Sequence, residues 1–174
     1  MHTMQSIKPV GTIFSNGAID LPNAPGVYAF WWIPEKNILM NANRHIILKG
    51  PGERPVDVKF LDWWPPEIDF PCLYVGKSTN LKNRFSLHIK RSSTGRLHTI
   101  PASNEKQKPV TTSCQLRYGI EHIFKNDPNP LKIIYNSVGF SYKTFPLEEI
   151  AERFFMEDRL IGVWKPWFNV DSER

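Results

Sequence analysis

Two places in this chain carry residue types and spacing that could do chemistry. Arg84 and His88 lie four positions apart in "KSTNLKNRFSLHIKR", beside a Leu81, Phe85, Ile89 line that recurs at helical spacing. On a helix they are neighbours. A guanidinium there could stabilise charge developing on phosphoryl oxygens while an imidazole manages a proton, or the pair could simply belong to a solvated basic face. The second is Glu157. Projecting "FPLEEIAERFFMEDRLIGVW" at ~100° per residue places Leu147, Ile150, Phe154 and Ile161 in one arc, which is expected to face the core. Glu157 falls beside that arc, between Ile150 and Leu160. Asp158 flanks its other edge, and Glu148, Glu149 and Glu152 lie further round. A carboxylate against apolar surface needs a positive partner, a metal or a proton. Glu157 is therefore either a structural ion pair at the margin of the core or a metal ligand or acid/base group.

The elements that must carry these residues follow from pattern and punctuation. Residues 1 to 24 form a loosely ordered arm closing at "LPNAPG", where Pro22, Pro25 and Gly26 mark a turn. "GVYAFWWI" and "FPCLYVG" are predicted strands, and "KSTNLKNRFSLHIKR" is a helix that Ser78, Thr79 or Asn80 can cap. Residues 33 to 70 are too long for a plain loop, so this insertion is expected to carry its own small structure; "RHIILKG" could be a short strand in it. After a polar loop over 92–112, "SCQLRYGIEHIF" is a second helix, capped by Ser113 and stopped by "DPNP". "LKIIYNSVGF" is a third strand, and the Glu157 helix closes the chain, ended by Pro166. This order predicts an α+β or α/β fold with a small sheet.

With 174 residues, the chain has room for one domain and an unstapled core. Its two cysteines, Cys72 and Cys114, lack any paired Cys/His spacing, which disfavours a disulfide framework or structural zinc and fits a reducing, cytoplasmic setting with two buried thiols. No apolar run reaches the ~18 residues a membrane span needs. The formal charge of +5 suits a polyanionic partner.

Three segments, in order, resemble the motifs of the GIY-YIG endonuclease family. "GVY" at Gly26 to Tyr28 is similar to the first motif and "YVG" at Tyr74 to Gly76 to the second, each with Val in place of Ile. "YVGKSTNLKNRFSLH" is similar to the stretch that carries the family's catalytic Arg, here Arg84, with His88 one turn later. "FFMEDRLIGVWKPWFN" resembles the closing helix and loop, with Glu157 as the metal-binding carboxylate, then Leu160-Ile161, Pro166 and Asn169. One departure stands out. The tyrosine motifs, joined by a short hairpin in typical members, are separated here by 45 residues that include Trp31, Trp32, Trp63 and Trp64. These tryptophans form either a local mini-core or a wedge for DNA, with Arg44, His45, Lys49, Arg54 and Lys59 available for backbone contacts.

The resemblance implies a single, sandwich-like α+β domain around a small, mainly antiparallel three-stranded sheet flanked by helices. It implies a metal-dependent DNA endonuclease with Tyr28, Tyr74, Arg84, His88 and Glu157 as catalytic residues. Mg²⁺, which Mn²⁺ can replace, would be held by Glu157 and shared with the scissile phosphate. Tyr28 would take a proton from the attacking water, its pKa pulled down by Lys77 and Arg84. Tyr74 would orient that water, His88 would polarise it or hold the phosphate, and Asn169 would brace the site. Lys77, Lys82, Lys90, Arg91, Arg96 and Asn169 are the expected DNA contacts, and a homodimer would suit double-strand cutting of a palindrome. A catalytically silent nucleic-acid-binding module is the alternative, and a protein-binding role for the Trp-rich insertion is a third reading.

Overall fold

The computed structural model describes residues 4–14, 18–49, 54–90 and 115–169. Its centre is strand β2 (Gly26–Trp32), whose β-branched and aromatic residues are all buried. It lies between β5 (Cys72–Ser78) and β6 (Val138–Thr144), and β6 also pairs with the short β1 (Lys8–Pro9). The sheet is thus four-stranded and antiparallel throughout, in the order β1-β6-β2-β5. The expected three strands are present in kind; the fourth comes from the N-terminal arm. That arm is docked, because Val10 and Ile13 of α1 (Val10–Ile13), with Ile19 and Leu21 after it, are buried in the main core.

Strand alternation divides the interior into two clusters. Tyr28, Phe30 and Trp32 point to one face, where α3 (Leu81–Lys90), α4 (Gln115–Ile123) and α5 (Pro130–Ser137) cover them. Val27, Ala29 and Trp31 point to the other face, with Cys72 and Val75, and α6 (Ile150–Trp164) covers that side. Cys72 is a free, buried thiol, and Cys114 lies outside the described residues. The insertion does carry its own structure: α2 (Lys36–Met40) and an antiparallel hairpin of β3 (His45–Lys49) and β4 (Pro55–Lys59). Among the described residues, no helix is long and apolar enough to cross a membrane.

Two predicted elements differ. "LKIIYNS" is helix α5, and only Val138 onward is strand. The cause is Asn129-Pro130: the Asn129 side chain accepts the Lys132 N–H at 3.0 Å, and Pro130 supplies a preset φ at the first turn, so "DPNP" opens a helix as well as ending one. The second is the orientation of α6. Leu147, Ile150 and Phe154, expected in the core, are 64%, 55% and 51% exposed, while Arg153 and Met156 are buried. The inward face is rotated by about a quarter turn from the apolar arc. Arg153 donates to the carbonyls of Pro146 and Leu147 at 3.0 and 3.1 Å, which draws its stem inward. Trp164 packs on Trp31 with ring centroids 4.6 Å apart.

The outer edge of β5 is covered by the chain's final loop. Phe168 N–H donates to Leu73 at 2.8 Å, and the Asn169 amide both donates to and accepts from the Val75 peptide, each at 2.8 Å. A short segment thus blunts a strand edge that would otherwise be open for pairing. Replacing Asn169→Ala is expected to lower stability by about 1–3 kcal/mol and to speed hydrogen exchange at the Val75 amide, measured by urea unfolding and NMR exchange. An unchanged Val75 exchange rate would refute the bracing role.

Candidate active site

The β2–β5 register sets the geometry. Tyr28 faces Gly76 and Phe30 faces Tyr74, so both tyrosines emerge on the α3 side of the sheet with ring centroids 6.1 Å apart. A tight turn then reverses the chain into α3. Ser78 Oγ accepts the Asn80 N–H at 3.0 Å, and Asn80 Oδ1 accepts the Asn83 N–H at 2.9 Å, which makes Asn80 the capping residue among the three candidates. Leu81, Phe85 and Ile89 enter the core as the spacing predicts. Arg84 and His88 are carried beside them toward β2.

They meet at the Tyr28 hydroxyl. His88 Nε2 lies 2.8 Å from it, and Arg84 Nε donates to it at 3.1 Å. His88 is fully buried, against Phe30 and Tyr74 with ring centroids 5.2 Å from each. Gly76 makes this packing possible: a Cβ there would sit 2.5 Å from the Tyr28 hydroxyl and 2.9 Å from Tyr74 Cε1. The glycine inside a predicted strand was the available cue to such a close approach.

Burial governs protonation here. Desolvation pushes the Tyr28 hydroxyl well above the ordinary phenol range, Tyr74 adds to this, and Arg84 pulls it back only in part. Tyr74 is also raised, by burial first and against the pull of Arg84. The expected lowering of Tyr28 by Lys77 and Arg84 is thus outweighed, and Lys77 is engaged elsewhere. Burial works against the Arg84 charge, but the two tyrosines more than offset it and raise its pKa. His88 is lowered to about 3, by burial and then by the Arg84 charge, so it is neutral near neutrality and able to accept the Tyr28 hydrogen.

Glu157 arrives from the opposite side of the sheet. Its side chain is 12% exposed and is ion-paired with Lys77, whose ammonium also lies 3.8 Å above the Phe154 ring. Lys77 pairs with Val27 in register, hence on the α6 side, at the β5 edge where the two faces meet. Glu157 is nonetheless near enough for its charge to raise both tyrosines. The ion-pair reading of Glu157 is what the structure shows directly. A single carboxylate suits a hard divalent ion that keeps most of its waters, with substrate phosphate supplying further oxygens, and the Lys77 ammonium marks where positive charge is favoured. Among the described residues no cluster of three or more His, Cys, Asp or Glu side chains is set to hold a metal ion.

Four of the predicted catalytic residues, Tyr28, Tyr74, Arg84 and His88, are thus brought into one cluster, with Glu157 and Lys77 beside it. Asn169 is a brace on β5, its amide donating to and accepting from the Val75 peptide. Lys82 is half-buried on α3, while the Lys90 side chain, Arg91 and Arg96 lie outside the described residues. Comparison with models of protein families, with curated proteins and with solved structures gave no match.

Two outcomes follow. His88 takes up no proton in the fold until about pH 3 but does so near 6.5 when unfolded, so the unfolded state binds more protons between those values. Stability is expected to fall as pH drops through that window, by at most roughly 5 kcal/mol, and His88→Gln should flatten the slope; denaturant melts from pH 4 to 7 measure it, and equal slopes would refute it. Gly76→Ala should displace the Tyr28 ring and cost about 1–3 kcal/mol, seen as a lower melting temperature.

Proposed function

We propose that this chain is a metal-dependent endonuclease of the GIY-YIG type that hydrolyses phosphodiester bonds in DNA. The observation that carries the reading is the Tyr28 hydroxyl held between His88 Nε2 and Arg84 Nε, with Glu157 paired to Lys77 next to Gly76 on the adjoining strand. The ordered sequence motifs supply the rest of the argument.

In this reading a scissile phosphate lies over Tyr28 and Tyr74, with the Arg84 fork on its non-bridging oxygens. A divalent ion on Glu157, when bound, would offset charge on the phosphate and the leaving oxygen. Lys77 then exchanges its carboxylate partner for phosphate. A water attacks phosphorus as its proton passes to the Tyr28 oxygen, and the Tyr28 hydrogen moves to His88 Nε2. The P–O bond to the leaving oxygen breaks, and that oxygen takes a proton from solvent. Because burial keeps Tyr28 protonated, its hydrogen needs an acceptor as the water proton arrives, and His88 Nε2 is the atom placed to take it. Burial first and the Arg84 charge second oppose the charge that His88 acquires, so the approaching phosphate anion has to balance it.

The runner-up is a catalytically silent DNA-binding module, favoured by the Lys77 ammonium seated on the one carboxylate. Plasmid cleavage with Mg²⁺, Mn²⁺ or EDTA separates the two. Metal-dependent nicking is expected, with Glu157→Ala and Tyr28→Phe each lowering the rate by about 10²-fold or more while retaining DNA binding. Salt-sensitive binding without any cutting would favour the silent module.

A further inference from the structure

A cleft of about 360 Å³ lies between the insertion hairpin and the end of α6. Its apolar walls include Phe60, Leu61, Ile161 and Trp167, and two cations, Lys59 and Lys165, line it without any acidic residue. Both lysines are exposed, and neither is ion-paired among the described residues. Among the described residues of the hairpin region, Asp62 is paired with Arg44 at 3.8 Å and Asp57 with His45. Lys165 also occupies the left-handed C-cap of α6, at φ 52°, where glycine is the usual residue, so backbone geometry does not account for a lysine there. Asn169, another lining residue, joins the cleft to Val75, between Tyr74 and the Gly76-Lys77 pair.

Exposed aromatic surface lies on the same segment. Trp31, Trp32 and Trp64 are buried, the last stacked on Trp167 at 5.1 Å, but Trp63 is 54% exposed and Leu61 57%. Trp31 and Trp32 thus belong to β2 and to separate core clusters on its two faces instead of a local mini-core, Trp64 packs with Trp167, and Trp63 faces solvent. Unpaired ammonium groups with an exposed indole form the combination that binds phosphates and stacks a base. The larger cavity, about 560 Å³ on the other flank of α6, has Glu149 and Glu152 against the single cation Arg159 in its lining, a net negative charge that disfavours a polyanion.

We infer that the 360 Å³ cleft takes the nucleic-acid strand next to the cleavage site, with Lys59 and Lys165 on its phosphates and Trp63 against a base. This rests on the nuclease reading of the neighbouring cluster. It assigns the enlarged insertion a direct part in substrate selection.

The test is anisotropy of a labelled DNA duplex, titrated across salt in EDTA so that nothing is cut. It compares the intact protein with Lys59→Ala/Lys165→Asn, Trp63→Ala and Trp63→Phe. Asn is chosen because it tolerates the left-handed backbone. All substituted positions are exposed, and circular dichroism checks the fold. The double variant should reduce the slope of log affinity against log salt by about 1.8, at about 0.9 per lost phosphate contact. Trp63→Ala should weaken binding about fivefold or more with the slope retained, and Trp63→Phe should stay within about threefold. Wild-type affinity and slope in every variant would overturn the cleft assignment; if those variants still cut plasmid with Mg²⁺, the nuclease reading stands. Weakened binding in a chain that never cuts would uphold the cleft and remove the nuclease reading instead.

Discussion

The organisation of this protein depends on one buried hydroxyl. Tyr28 sits on the central strand, 1% exposed, with its polar atom inside an aromatic core. A hydroxyl left unpaired there would cost about 1–3 kcal/mol. The fold answers with α3, which follows β5 through a capped turn and delivers His88 and Arg84 to the same oxygen. The arrangement also requires Gly76 on the neighbouring strand, since any side chain there would occupy the space of the phenol. Strand register, turn chemistry and helix face are coupled through this contact.

Satisfying that hydroxyl does not satisfy everything. His88 Nδ1 is buried with no hydrogen-bond partner among the described residues. The imidazole is therefore held by packing on Phe30 and Tyr74 as well as by its bond to Tyr28. Such an unbalanced polar group in a core is destabilising by itself, and cores retain them chiefly where they serve a site. The same environment that lowers His88 raises both tyrosines, so the resting cluster is neutral apart from Arg84.

The second dependence is the β5 edge. It carries Tyr74 and Gly76 to one face and Lys77 to the other, so a carboxylate from α6 can approach a cluster built by α3. The chain's last described residues, Phe168 and Asn169, hold this strand from outside. Aromatic stacking of Trp167 on Phe60 and Trp64, at 5.3 and 5.1 Å, ties the same loop to the insertion. The enlarged connection between the two tyrosine segments is thereby anchored to the strand that bears the site.

Much was legible in the sequence because it depends on local chemistry. The Leu81, Phe85, Ile89 spacing determined the buried line of α3 and hence the side on which Arg84 and His88 emerge. The β-branched and aromatic residues of "GVYAFWW" marked it as a strand, and the length of the insertion required structure of its own. The order of the motifs is enough to single out the five candidate catalytic residues. What the tertiary structure decided depends on partners distant in sequence. The apolar arc of α6 was clear, yet the helix turns it outward because Arg153 is held by the carbonyls before the helix and Trp164 by Trp31. Glu157 borders the packed face under either rotation, so its setting follows from the sequence although the direction of the apolar arc does not. The fourth strand, the engagement of Lys77 by Glu157 and the bracing role of Asn169 each require a surface contributed by another part of the chain. Periodicity reports which side of an element is apolar; only packing determines what that side meets.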